Sequence, residues 1–147
     1  MKSEPRRSFL SATTLAAAAA TLAGAAATAQ AAEAKTRAVF QVSDADPAKW
    51  NLALNNVANV QQALGAGAVE LEIVAYGPGI RMLRDDSVVG NRVADALAAG
   101  VAVVACQNTM KAMKLEPADM LPKIGYVPAG VVEIIQKQQQ GWGYIRP

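Results

Sequence analysis

The chain contains no histidine and only one cysteine, Cys106, among its 147 residues. Without histidine, one subunit cannot build a Ser-His-Asp triad, a Cys-His pair or a histidine-based metal site. With one cysteine it can form neither an internal disulfide nor a CxxC redox pair. These absences argue against hydrolysis by an activated nucleophile and against thioredoxin-like exchange, and they direct attention to a single thiol.

Signatures of nucleotide and nucleic-acid binding are also missing. The chain has neither the lysine-bearing P-loop motif nor the GxGxxG fingerprint. Beyond the first 31 residues, no run of lysine and arginine is interleaved with aromatic residues. We therefore expect no cofactor, no metal and no nucleic-acid partner.

The amino-terminal segment has the pattern of an export signal. A twin arginine, Arg6-Arg7, precedes an uncharged, alanine-rich stretch at residues 12–27, and residues 29–31 fit an Ala-x-Ala cleavage site. A membrane-anchoring helix fits less well, because the stretch is only mildly apolar and has no stop-transfer flank. We expect residues 1–31 to be a twin-arginine signal that is cleaved, and the mature protein, beginning near Ala32, to be periplasmic.

Removal of this leader changes the charge of the protein. The leader carries three of the 14 basic and one of the 12 acidic residues, so residues 32–147 hold 11 of each and have no net charge. The basic pI of the whole chain is therefore no sign of nucleic-acid binding. These roughly 116 residues suit one domain. They contain no apolar run long enough to span a bilayer, so we expect no membrane association once the leader is gone.

Apolar patterning in the mature part predicts alternating strands and helices. The expected strands are residues 36–43, 69–76, 101–105, 126–127 and 141–145, and the expected helices are residues 47–64, 88–99, 107–114 and 131–140. This order is typical of an α/β domain whose parallel sheet is covered on both faces. Right-handed crossovers then bring all the strand carboxyl ends to one edge of the sheet.

Two helices carry specific expectations. Asp46 is suited to cap the first helix and Pro47 to begin it. The apolar stripe of that helix is expected to be Trp50, Ala53, Leu54, Val57, Val60 and Leu64. In the last helix, we expect Val131, Val132 and Ile135 to face the sheet.

Cys106 falls at the sheet edge where α/β proteins bind ligands. Four segments should meet there: residues 43–46, 77–79, 106–109 and 128–130. Cys106 follows an apolar strand and precedes a predicted helix, whose amide groups would favour thiolate over thiol. Asn108 and Thr109 can add hydrogen bonds to the sulfur or to an anion beside it.

Each of these features also has a plainer explanation. A cysteine at a strand end is often a small buried hydrophobe, as it would be in a non-catalytic binding or assembly module. Gly77 and Gly79 can let the backbone approach a phosphate, as in a small anion or nucleotide binder. A strand-to-helix turn that needs glycine explains them better.

Several segments together give the chain a resemblance to the DsrE/DsrF-like family of small sulfur-relay proteins. No single piece is highly specific, but their order and spacing are, and they cover nearly all of the mature chain. The matching features are Trp50, Leu54, Asn56 and Asn59 on the first helix, and residues 69–79, 100–104, 106–110, 130–133 and 141–145.

The resemblance implies a three-layer α/β/α domain with a five-stranded, mostly parallel sheet, often assembled as trimers or hexamers. It also implies that Cys106 can accept a sulfane sulfur as a persulfide and pass it on. From the residues themselves, we expect Asn108, Thr109, Gly77 and Gly79 to support binding there. The expected partners are further copies of the chain and a sulfur donor or acceptor protein. The export leader departs from the cytoplasmic location of the best-studied relay members.

Overall fold

The computed structural model describes residues 34–147, so the predicted leader at residues 1–31 lies outside the described residues. The five strands are β1 (Thr36–Val42), β2 (Val69–Ala75), β3 (Ala102–Cys106), β4 (Gly125–Val127) and β5 (Gly143–Ile145). The α-helices are α1 (Pro47–Leu64), α2 (Gly90–Ala98), α3 (Gln107–Ala112) and α4 (Gly130–Gln139). Short 3₁₀ helices occupy Ala66–Ala68, Gly77–Leu83 and Pro117–Asp119.

The strands form one sheet in the order β4-β3-β2-β1-β5, and every neighbouring pair is parallel. From β1 to β4 the chain steps across the sheet in one direction. It then returns to the far side of β1 for β5. Because crossovers are right-handed, this reversal places α4 on the face opposite to α1 and α2. The predicted α/β fold with a five-stranded parallel sheet is confirmed.

Each face of the sheet has its own apolar core. The larger core packs one sheet face against α1 and α2, around Phe40, Ile73 and Val93, none of which is accessible to solvent. The smaller core lies under α4 and contains Val39, Val74, Val104 and Ile134. The α4 layer therefore has far less buried apolar surface than the opposite layer.

The first helix begins as its sequence predicts. The Asp46 carboxylate accepts a hydrogen bond from the Ala48 N–H at 2.9 Å, and Pro47 is the first helical residue. Trp50, Ala53, Leu54 and Val57 are buried and Val60 packs against them. Leu64 is 51% exposed, so its predicted place in the stripe was wrong. It lies in the last turn of the helix, followed by Gly65, which ends α1.

The predicted inward face of α4 was also wrong. Gly130 and Ile134 are its buried residues, whereas Val131, Val132 and Ile135 are about half exposed. Compared with the prediction, the helix is turned about its axis so that Glu133 and Lys137 lie on the inward side. There Lys137 pairs with Glu72 of β2. A search for an apolar stripe does not anticipate a lysine that faces the sheet.

Within residues 34–147, no helix combines the length and the apolar character that crossing a bilayer requires.

Candidate functional site

Cys106 is the last residue of β3 and the residue that caps α3. Its backbone is extended, and its sulfur accepts a hydrogen bond from the Thr109 N–H at 3.4 Å. The thiol takes the place that a serine or aspartate side chain usually occupies at a helix start. The chain direction thus aims backbone donors of α3 at the sulfur.

Thr109 connects the sulfur to the neighbouring strand. Its hydroxyl oxygen accepts a hydrogen bond from the Gly77 N–H at 2.9 Å, just beyond β2. Hydrogen bonding by the Thr109 side chain also lowers the pKa of the Cys106 thiol. Because the hydroxyl oxygen accepts from Gly77, the turn after β2 is tied to the residue that caps onto the sulfur.

A second helix also begins at the sulfur. The N–H of Gly130, the first residue of α4, is one of the backbone groups whose hydrogen bonding lowers the pKa of Cys106. A Cβ atom at Gly130 would lie 3.0 Å from the Cβ of Tyr76 and 3.2 Å from a methyl group of Val74. The absence of a side chain therefore allows the start of α4 to sit this close to the sheet.

Asn108 contributes through its backbone. Its N–H donates to the Pro128 carbonyl at 3.2 Å, and it also helps to lower the pKa of Cys106, while the residue is exposed. The bond to Pro128 ties the start of α3 to the loop that leads into α4. Two helix starts are thereby held around one sulfur atom.

These donors decide the ionisation of the thiol. Burial raises the pKa of Cys106, whose exposed fraction is 5%. Hydrogen bonds from the Thr109 hydroxyl and from the N–H groups of Gly130, Thr109 and Asn108 oppose this effect. The hydrogen bonds prevail, so the pKa of Cys106 lies below its ordinary value.

The position of the thiol in the sheet is distinctive. The connection after β3 leads to α3, whose Met110 packs in the larger core, whereas the connection after β4 leads to α4 on the opposite face. Cys106 is paired with Val127 at the carboxyl ends of these adjacent strands. Connections that leave neighbouring strands toward opposite faces open a crevice, and α/β proteins bind ligands there.

The two glycines of the β2 turn have separate roles. Gly77 has a φ of +52° and donates its N–H to Thr109, so it connects directly with the sulfur site. Gly79 donates its N–H to the Tyr76 carbonyl and packs on Val42, without touching the sulfur. Both N–H groups are used inside the protein, as a structural turn requires.

Three of the four predicted edge segments surround the sulfur, namely residues 77–79, 106–109 and 128–130. In the fourth, Asp46 caps α1 and the Asp44 carboxylate pairs with Lys49 at 3.1 Å. Gly130 was not singled out from the sequence as a donor. The sequence feature that could have indicated it is a glycine at the start of a helix, shortly after a predicted strand and Pro128.

Replacement of Thr109 by valine is expected to slow iodoacetamide alkylation of Cys106 at pH 7 by about tenfold. Valine keeps the shape of the side chain but removes a hydrogen bond to a charged acceptor, a contribution of roughly 1.5 kcal/mol. The variant should therefore have a raised Cys106 pKa, and its rate profile should shift to higher pH.

Thr109→Ser is the matched control, because it keeps the hydroxyl and should retain a profile close to wild type. The measurement is the alkylation rate as a function of pH on folded protein. Equal profiles for the valine and wild-type proteins would contradict the assigned role of the hydroxyl.

Comparison with known proteins gives both a family and solved relatives. A model of the DsrE/DsrF-like family matches residues 11–147. MTH1491 from Methanobacterium thermoautotrophicum, a protein of unknown function, is 35% identical, with a TM-score of 0.73, and the match covers 77% of this chain and all of that one.

Two further structures share the fold at low identity. BT1422 from Bacteroides thetaiotaomicron is 12% identical over 76% of this chain and 94% of its own, with a TM-score of 0.63. The ychN protein from E. coli is 11% identical over 78% of this chain and 99% of its own, with a TM-score of 0.58. No curated protein gives a significant match.

Proposed function

Since the chain belongs to the DsrE/DsrF-like family, we propose that it acts in sulfur relay, with Cys106 accepting a sulfane sulfur and carrying it as a persulfide. The observation that carries this proposal is the position of the thiol at the start of α3, where the sulfur accepts the Thr109 N–H and nearby donors of α3 and α4 lower its pKa. A cysteine that serves only to fill space needs no such set.

The uptake step is a simple exchange. The Cys106 thiolate attacks the outer sulfur of a donor persulfide, R–S–SH. A sulfur–sulfur bond forms between Cys106 and that outer sulfur while the sulfur–sulfur bond of the donor breaks, and the donor leaves as the thiolate R–S⁻. No electron is gained or lost overall, so the step needs neither an oxidant nor a reductant.

The same donors suit the release step. When an acceptor thiolate attacks the outer sulfur of the Cys106 persulfide, the Cys106 thiolate is the leaving group. A thiol with a lowered pKa leaves faster. The hydrogen bonds that stabilise this thiolate therefore favour discharge of the sulfur as well as the ionised state from which uptake begins.

Access to the sulfur favours a small donor group. The thiol is 5% exposed, while Gln107, Asn108 and Pro128 beside it are exposed. We propose that the donor sulfur enters between the starts of α3 and α4 and that the bulk of the donor stays outside. A terminal sulfane sulfur, a single atom bearing one proton, has the size for this approach.

Mass spectrometry of the wild-type protein tests the proposal. After incubation with a low-molecular-weight persulfide, the intact mass is expected to increase by one sulfur atom, and the added atom should be found on the peptide that contains Cys106. Treatment with dithiothreitol should remove it. A protein that alkylates at Cys106 but takes up no sulfur would overturn the proposal.

The burial of the thiol favours a second candidate, a binding or assembly module in which Cys106 only fills space. In this case the native protein would resist both iodoacetamide and the persulfide donor, and it would react with both after denaturation. The same experiment thus separates the two candidates.

A further inference from the structure

Helix α4 is held on the sheet by unusually little apolar contact. Of its ten residues, Gly130 and Ile134 are buried, and Gly130 has no side chain. The apolar residues Val131, Val132 and Ile135 are turned outward. Apolar contact is also non-directional. The packing of Ile134 alone therefore does not fix the position of α4 along the sheet.

A polar contact lies toward the other end of the helix. The Lys137 ammonium is 3.0 Å from the Glu72 carboxylate, and the two side chains are 18% and 7% exposed. The Glu133 carboxylate, one turn earlier on α4, is 3.6 Å from the same ammonium. An ion pair with this burial requires defined distances and directions, which an apolar contact does not.

The segment after α4 encloses this pair. The Lys137 ammonium lies 4.2 Å from the centre of the Trp142 ring, and the Arg37 guanidinium of β1 lies 5.8 Å from it. Arg37 also donates to the Gln140 carbonyl at 2.7 Å, at the carboxyl end of α4. Lys137 is therefore held between a strand carboxylate and an aromatic face.

We propose that the buried Glu72–Lys137 ion pair is the anchor that sets the position of α4 along the sheet. Together with the Asn108–Pro128 hydrogen bond, it thereby holds the start of α4, with the Gly130 N–H, beside Cys106. Glu72 and Lys137 are positioning residues, since neither is among the groups that bond to the sulfur. The inference deepens the proposed function, because it assigns how the thiolate site is kept in register.

The energetics of Glu72 agree with a role in position rather than in stability. Burial raises the pKa of Glu72 above its ordinary value, and the hydrogen bond and charge of Lys137 only partly oppose this effect. One carboxylate oxygen of Glu72 is buried without a hydrogen-bond partner. Apolar residues of similar volume often replace such pairs without loss of stability. A buried ion pair can instead specify position, and here it would fix the register of α4.

The test compares two double variants of the full chain. Glu72→Leu/Lys137→Met removes the ion pair and keeps apolar volume. Glu70→Leu/Lys35→Met makes the same chemical changes at exposed positions that take no part in the contacts of Lys137, and it serves as the matched control. Lys137→Gln is a smaller change for use if the first variant does not fold.

Two readouts follow Cys106 directly. The first is the pH dependence of thiolate absorbance and of alkylation, which is unambiguous because the chain has one cysteine. The second is the pH dependence of the Gly130 amide proton shift, which reports how close this N–H lies to the ionising sulfur. We expect the anchor variants to titrate at higher pH, to alkylate at least threefold more slowly at pH 7, and to lose most of the Gly130 response.

Folded anchor variants with wild-type thiolate and Gly130 titrations would overturn the anchor, as would a control that shifts equally. Failure of the proposed function has a different signature. A wild-type protein that takes up no sulfur removes the relay role, whereas these titrations still decide whether the ion pair positions α4.

Discussion

Serine in place of Cys106 is expected to abolish the sulfur adduct completely. The hydroxyl retains the geometry of the α3 cap, but it stays protonated at neutral pH and does not attack sulfane sulfur. No other residue can take over the reaction, because the chain contains no second cysteine. The expected result is a wild-type mass increase of one sulfur atom and none for Cys106→Ser under identical treatment.

A stability measurement accompanies this comparison. The side chains of serine and cysteine are similar in size, so the variant should fold and lose only about 1 kcal/mol from burying a more polar group. Thermal unfolding monitored by circular dichroism checks this. A folded serine variant that still gains the sulfur atom would show that Cys106 is not the carrier.

Alanine in place of Gly79 is expected to destabilise the domain by about 3 kcal/mol or more, since it adds volume where the backbone has no room to move. A Cβ atom at this position would lie 2.2 Å from the Val42 carbonyl oxygen and 2.8 Å from the Ser43 nitrogen. Both are backbone atoms at the end of β1, so no side-chain rotation relieves the clash. The melting temperature should fall by roughly 10 °C.

Gly67→Ala is the matched control for this prediction. A Cβ atom at Gly67 would have no neighbour within 4 Å, so the change should stay within about 0.5 kcal/mol of wild type. Urea unfolding of the three proteins measures the difference. A Gly79→Ala protein as stable as Gly67→Ala would contradict the described packing of the 3₁₀ turn on β1.

Local sequence signals explain how much of the fold was predictable. Asp46 and Pro47 specify the start of α1 through contacts within three residues, and Gly65 ends it with a φ of +91°. The apolar stretch that forms β2 predicts a buried parallel strand. Such signals depend on neighbours in sequence, so they can be recognised without knowledge of the tertiary structure.

The orientation of α4 was not predictable in this way. Its three exposed apolar residues form the more obvious stripe, yet Gly130, Ile134 and Lys137 face the sheet. The partner that turns Lys137 inward is Glu72, 65 positions earlier in the chain. A pairing between residues so far apart produces no local periodic pattern, so the sequence of α4 alone does not predict its orientation.

The sequence by itself determined the α/β class, the order of the elements, and the place of Cys106 at a strand end before a helix, because periodicity, caps and turn residues act locally. The tertiary structure decided the setting of the thiol. It brought Gly130 and the Gly77–Thr109 pair to the sulfur, and it placed Cys106 where adjacent strand connections diverge. These contacts join segments that lie 21 to 32 residues apart and arise only when the sheet assembles.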